Sequence, residues 1–132
     1  MRILFVCSGN AFRSPVAEAL LKKMEPKVEV DSAGTHPSIP IPEAVKKYLA
    51  RENAILSLKG EPEHLNVKKL KSYDVIVAME NKHKDAILNR CSECENKIIV
   101  WNIKDPYFLP AEYTEKIFDQ IKRKIKELAN SI

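Results

Sequence analysis

The chain opens on a short apolar run, Ile3 to Val6, that ends at Cys7 and passes directly into Ser8-Gly-Asn-Ala-Phe-Arg-Ser-Pro15. A run of that length, apolar throughout, reads as a strand buried on both faces of a parallel sheet. The residues after it read as a helix start, with Ser14 as N-cap, Pro15 at the first helical position and Glu18 just beyond, followed by a stripe of Val16, Ala19, Leu20 and Met24. Strand, tight loop and helix in this order commit the chain to a crossover architecture, because the next strand must return parallel to the first.

The rest of the chain keeps the alternation. The first helix ends near Pro26, and Val28 to Val30 reads as a second short strand broken by Ser32-Ala-Gly-Thr-His-Pro37. A second helix is predicted over Pro42 to Arg51, a strand over Tyr73 to Met79 and a helix over Lys82 to Asn89. A strand over Lys97 to Trp101, an irregular stretch from Asp105 to Pro110 and a long terminal helix from Ala111 complete it, with Ile117, Ile121, Ile125 and Leu128 on one stripe. The expected fold is an α/β three-layer sandwich around a mostly four-stranded parallel sheet, flavodoxin-like in topology, in a single domain spanning 1–132. The polar stretch from Ser57 to Asn66 reads as a plain loop. In such sheets ligands bind beyond the carboxyl ends of the strands, where strand order reverses, which makes the loop after Cys7 the expected site.

That loop carries chemistry. Its backbone N–H groups and the helix behind it favour an anion, and the same field favours a thiolate at Cys7. Arg13 completes Cys-x5-Arg, and its guanidinium can hold two phosphate oxygens at once. Gly9 is expected to let the backbone turn tightly, Asn10 to accept a left-handed conformation and brace the loop, and Ser14 to hydrogen-bond the sulfur.

The segment Val6-Cys-Ser-Gly-Asn-Ala-Phe-Arg-Ser-Pro-Val-Ala-Glu18 resembles the signature of the low-molecular-weight protein tyrosine phosphatases. Asp31-Ser-Ala-Gly-Thr35 resembles their second segment and Asp105-Pro-Tyr107 their general-acid loop, in the family's order and over nearly the whole chain. The resemblance implies a phosphoric monoester hydrolase in which Cys7 attacks phosphorus, Arg13 and the loop clamp the equatorial oxygens, and Asp105 serves as general acid and then base. It implies substrate contacts from Ser8, Gly9, Asn10, Ala11, Phe12, Ser14 and Tyr107, with Phe108 as a further wall, and a bracing network of Asn10, Ser14 and Ser32. No cofactor and no metal are implied. The partner is a phosphorylated protein or a small phosphate ester.

Two positions depart from the family pattern. Phe12 stands where many relatives have a second cysteine that can protect the nucleophile through a disulfide. Ser57-Leu-Lys-Gly-Glu61 lies where many relatives have a His and an Arg after the Ser, and His64 is the candidate replacement. In the family a branched aliphatic residue at the position of Ala11 goes with phosphotyrosine and a Thr with phosphoarginine; Ala11 is neither. A protein arginine phosphatase is therefore one alternative. A second is an arsenate reductase of the same fold, with Cys91 and Cys94 as relay thiols and thioredoxin as partner. Cys91 and Cys94 also admit half a zinc site with His83, a disulfide, or two idle thiols. A flavodoxin-like FMN module would need a hydroxyl-rich loop without a reactive cysteine. His36 and His83 read as surface residues and Met79 as core.

Composition narrows the rest. A net charge of +4 without a basic block argues against nucleic acid, and no apolar run is long enough to span a bilayer, so no membrane partner is expected. An odd count of three cysteines and a start directly on a strand lead to the expectation of a cytoplasmic protein.

Overall fold

The computed structural model describes residues 1–132. Four parallel strands, β1 (Arg2–Cys7), β2 (Glu29–Gly34), β3 (Val75–Ala78) and β4 (Ile98–Val100), form one sheet in the order β2-β1-β3-β4. Around it lie four helices, α1 (Arg13–Met24), α2 (Glu43–Arg51), α3 (Asn81–Arg90) and α4 (Tyr113–Ser131). The order reverses between β1 and β3, which puts the crevice at the carboxyl end of β1.

Alternation along the strands sorts the core into two layers. Ile3, Phe5 and Cys7 of β1, with Val77 of β3, face a cluster built with α1, α2 and α4, including Leu20, Tyr48, Leu49, Phe118 and Ile121. Leu4, Val6, Ile76 and Ala78 face the other cluster, which contains Ile87 of α3. The stripe of α4 behaves as predicted, with Ile117, Ile121 and Ile125 buried and Leu128 packed beside them. Met79 is core as expected. No helix is long and apolar enough to cross a membrane.

Three local expectations differ from the structure. First, β2 does not break at Ser32: Ser32, Ala33 and Gly34 continue the ladder opposite Phe5, Val6 and Cys7. These small residues look like turn formers, but they are what a strand running beneath the Cys7 loop can accommodate. A Cβ built on Gly34 would sit 2.6 Å from the Ser8 carbonyl oxygen and 2.8 Å from the Asn10 nitrogen, so only glycine allows that approach. Second, α1 starts at Arg13 with Phe12 in the N-cap position and no side-chain cap, because the Ser14 hydroxyl is engaged elsewhere. Third, Gly9 is not in the left-handed region and a Cβ there would meet only Ala11 Cβ at 3.9 Å; the residue with positive φ is Asn10, at 50°.

Candidate active site

Cys7 ends β1 with its side chain buried at the floor of a cavity of about 580 Å³. Ser8, Gly9, Ala11, Phe12, Arg13, Asp105 and Tyr107, all expected at the site, line this cavity together with Phe108, His36 and Ile39. Asn10, Ser14 and Ser32 do not line it. They lie completely buried beneath the loop, so the side chains of Asn10 and Ser14 brace the site and do not form its wall.

The bracing network has a fixed direction. Asn10 Oδ1 accepts from Lys59 Nζ at 2.8 Å and from the Glu63 backbone N–H at 2.8 Å, which turns Nδ2 toward two hydroxyls. Nδ2 donates to Ser14 Oγ at 2.8 Å and to Ser32 Oγ at 2.9 Å. Ser32 passes its own hydrogen to Glu18 Oε1, and Glu18 is held by Lys22. Ser14, already an acceptor from Asn10, keeps its hydrogen for Cys7 Sγ, 2.9 Å away. The Asn10 N–H also points at Sγ, at 3.3 Å. Two donors therefore converge on the sulfur, an arrangement suited to a thiolate.

The other N–H groups of the loop, from Ser8, Gly9, Ala11, Phe12, Arg13 and Ser14, donate to no group of the protein. Unpartnered N–H groups on a loop that leads into a helix N-terminus are suited to an anion. Arg13 is almost wholly buried, and its Nη1 donates to the Ile103 carbonyl at 2.8 Å and to Glu80. This double anchor holds the guanidinium plane while Nη2 lies 3.5 Å from Asp105 Oδ2. Asp105 caps a short 3₁₀ turn with Pro106 at its first position, and its Oδ1 accepts the Tyr107 N–H at 3.0 Å. One carboxylate oxygen is thereby fixed, and the other faces the guanidinium.

The cavity walls are aromatic. Phe12 stacks on Phe118 at 4.8 Å between ring centroids, and Phe118 stacks on Tyr48 at 4.1 Å, a three-ring pile that holds the Phe12 wall from the core side. Tyr107 and Phe108, both largely exposed, meet edge to face at 5.1 Å on the opposite rim.

Four participants went unread in the sequence. Lys59, on the polar stretch from Ser57 to Asn66, makes the bracing contacts that the sequence assigns to His64 as candidate. His64 is exposed, and its Nδ1 instead accepts the Asn66 N–H. Glu63, Glu80 and His83 are the others. Burial opposes ionisation of Glu80, but the hydrogen bond and charge of Arg13 outweigh it and hold the carboxyl below the usual carboxylate range. Glu63 is likewise held low, its desolvation outweighed by Lys59 and Lys68. His83 is not a surface residue: it is fully buried, and desolvation first, then the Arg13 charge, push its pKa down to about 4. The signal that was available was Glu80-x-x-His83 ahead of a helix, a reciprocal cap that the structure shows formed.

His83 also closes the zinc reading. Its Nδ1 accepts the Glu80 N–H and its Nε2 lies 2.8 Å from Ser8 Oγ, while Cys91 and Cys94 are joined in a disulfide. That disulfide is buried in the apolar cluster of the α3 side, whereas Cys7 belongs to the cluster on the other side of the sheet.

Comparison with known proteins agrees with this geometry. The family model described as low molecular weight phosphotyrosine protein phosphatase matches residues 2–132. The low molecular weight protein-tyrosine-phosphatase Etp of Escherichia coli is 31% identical over 138 residues, covering 98% of this chain and 93% of that protein. The solved YwlE arginine phosphatase from Geobacillus stearothermophilus superposes with a TM-score of 0.83 at 32% identity, covering 98% of this chain and 91% of that one. A low molecular weight protein tyrosine phosphatase structure from T. tengcongensis gives a TM-score of 0.86 at 29% identity, covering 100% of this chain and 99% of that one. With its loop, buried arginine and facing aspartate on a matching fold, the chain belongs to the low molecular weight phosphotyrosine protein phosphatase family, whose members are phosphoric monoester hydrolases.

Proposed function

We propose that this protein hydrolyses phosphate monoesters through a phosphocysteine on Cys7, with Asp105 as general acid and base. The observation that carries the reading is the convergence on one cavity of a sulfur held by two donors, a buried arginine anchored by two acceptors, and a carboxylate 3.5 Å from that arginine. In the first step Cys7 Sγ bonds to phosphorus and the bond to the leaving oxygen breaks. Asp105 gives that oxygen its proton. In the second step water attacks phosphorus, Asp105 takes the water's proton, and the sulfur leaves as thiolate toward the Ser14 hydroxyl. The loop N–H groups and Arg13 Nη2 face the equatorial oxygens, where charge builds up.

The proposed substrate is phosphotyrosine on a protein. Ala11 is buried and presents no hydroxyl, while Phe12, Tyr107 and Phe108 offer faces on which a flat ring stacks, at about 1 kcal/mol per aromatic pair. A phosphoserine side chain is too short to carry its phosphate to the floor between those walls. Phosphoarginine is the second reading, supported by a relative from Geobacillus stearothermophilus named protein-arginine-phosphatase, 30% identical over 141 residues and covering 99% of this chain and 95% of that protein.

Acid-quenched turnover of an aryl phosphate tests the mechanism. Phosphate is expected on Cys7, lost in Cys7→Ser together with hydrolysis, and substantial hydrolysis by that variant would overturn the reading. Asp105→Asn is expected to slow esters with poor leaving groups far more than activated aryl phosphates; equal losses would remove Asp105 from the acid role. Catalytic efficiencies on matched peptides rank the substrates, and a tenfold preference for phosphoarginine, about 1.4 kcal/mol, would reverse the order.

A further inference from the structure

The capping pair at the start of α3 reaches past its own helix. Glu80 caps α3 and binds Arg13, and His83, three residues on, puts Nε2 2.8 Å from the hydroxyl of Ser8 on the cavity wall. We propose that the Ser8 hydroxyl is a side-chain donor to the anion held in the loop, and that His83 is the positioning residue that sets its direction. This rests on reading the cavity as a phosphate site.

The assignment follows from counting hydrogens. His83 Nδ1 accepts the Glu80 backbone N–H at 3.0 Å, so it carries no proton of its own. A neutral imidazole then has its proton on Nε2, and Nε2 donates to Ser8 Oγ. Complete burial, with the Arg13 charge nearby, keeps the ring neutral. Having accepted that hydrogen, Ser8 Oγ still has its own to give, and no protein group other than His83 lies within bonding distance of it. Its backbone is fixed as well, since the Ser8 carbonyl accepts the His36 N–H at 2.8 Å. The remaining direction is the cavity that Ser8 lines. One helix cap thus serves two donors to the same anion: Glu80 holds the guanidinium of Arg13, and His83 holds the hydroxyl of Ser8.

The test uses inorganic phosphate as the probe, with affinity measured by NMR titration at neutral pH, and p-nitrophenyl phosphate turnover as a separate readout. Ser8→Ala, at a half-buried rim position, removes the donor without threatening the fold and is expected to weaken phosphate about tenfold, as for a hydrogen bond to a charged group. His83→Asn places a carbonyl where Nδ1 was and keeps the cap, but loses the reach to Ser8. The same tenfold loss is expected. His83→Gln places an amide N–H where Nε2 was and is expected to stay within about twofold of the native protein. Combining Ser8→Ala with His83→Asn should lose no more than Ser8→Ala alone, because both remove one bond. Unchanged phosphate affinity in Ser8→Ala overturns the proposal, as does a His83→Asn loss that persists in the Ser8→Ala background or is not restored by Gln. Native protein that binds phosphate but turns over no ester defeats the phosphatase reading and leaves the donor pair standing. Native turnover with variants that bind phosphate normally does the reverse.

Discussion

Asn10 holds the loop at its tightest point, with a left-handed backbone and all of its side-chain capacity used: two bonds accepted and two donated, every partner buried or partly buried. What fixes the amide is Lys59, whose side chain is only 8% exposed and whose Nζ also meets the Ser32 carbonyl at 2.8 Å and Glu63 Oε1 at 2.8 Å. Lys59→Met keeps the volume and removes the donor. The amide is then held on its oxygen side by one N–H alone, and Ser14 loses its defined role toward Cys7. The expected result is a fall in kcat of about tenfold, with the affinity for inorganic phosphate little changed, since the anion is held by the loop N–H groups and Arg13. A KM effect without a kcat effect would contradict that role. At Gly34 the expectation is harsher, because a Cβ would collide with backbone atoms of the loop that cannot rotate away. Gly34→Ala should cost about 1–3 kcal/mol of stability by urea melting and on the order of a hundredfold in kcat/KM. Cys7, Arg13, Asn10 and Ser14 were legible in the sequence because the short spacing and chemistry of one loop announce them, and Ser32 and Asp105 only through the family resemblance of their segments. Lys59 and His83 were not. Their partners are 49 and 75 residues away, and a lysine in a polar loop or a histidine in a polar helix looks the same whether or not it is buried.

At the scale of elements, the alternation of strands and helices was readable because β1, β3 and β4 are short runs rich in Ile and Val and α4 carries one apolar stripe, whereas the edges were not. The second strand runs four residues past its expected end at Val30 because tertiary pairing overrode the turn propensity of Ser32-Ala-Gly34. The first helix begins two residues early because the loop, and not a side-chain cap, sets its start. The helix α3 shows what an element boundary can do: its cap brings Glu80 against Arg13, across 67 residues of sequence. Glu80→Ala leaves the buried guanidinium with the Ile103 carbonyl and Asp105 as its remaining anchors. The carboxylate is about a third exposed, so solvent screens part of the pair, and the expected destabilisation is about 2 kcal/mol instead of the larger figure for a fully buried pair. The freed guanidinium should also bind inorganic phosphate more weakly. Urea melts paired with phosphate titration check both, and unaltered phosphate affinity would show that Ile103 suffices to hold Arg13.

The whole molecule should show these placements in its pH dependence. His83, with Glu80, Arg13, Lys82 and His36 as its charged neighbours, has its folded pKa depressed to about 4 from 6.5 by desolvation and by Arg13. Between those values the unfolded chain takes up a proton that the native protein refuses, so stability is intact above about 6.5 and falls as pH drops toward 4. The loss amounts to roughly 3 kcal/mol. Asp31, Glu63 and Glu80 are held low because their basic partners outweigh desolvation, so their contribution is present above the ordinary carboxylate range and disappears below it, as a second acid phase. On the alkaline side Lys68 is raised because Asp31 and Glu63 outweigh its burial, and Tyr48 and Tyr73 are raised chiefly by burial. All three contribute fully below pH 10 and lose their contribution above it. Urea midpoints measured across pH should therefore form a plateau from about 7 to 10, with a decline on the acid side that starts well above the carboxylate range. His83→Asn keeps the cap of α3 and removes the titrating ring, so its plateau should extend down to about pH 5 before the carboxylate phase begins. An acid limb in the variant that overlays the native one would show that the decline between 6.5 and 4 comes from elsewhere than the buried imidazole.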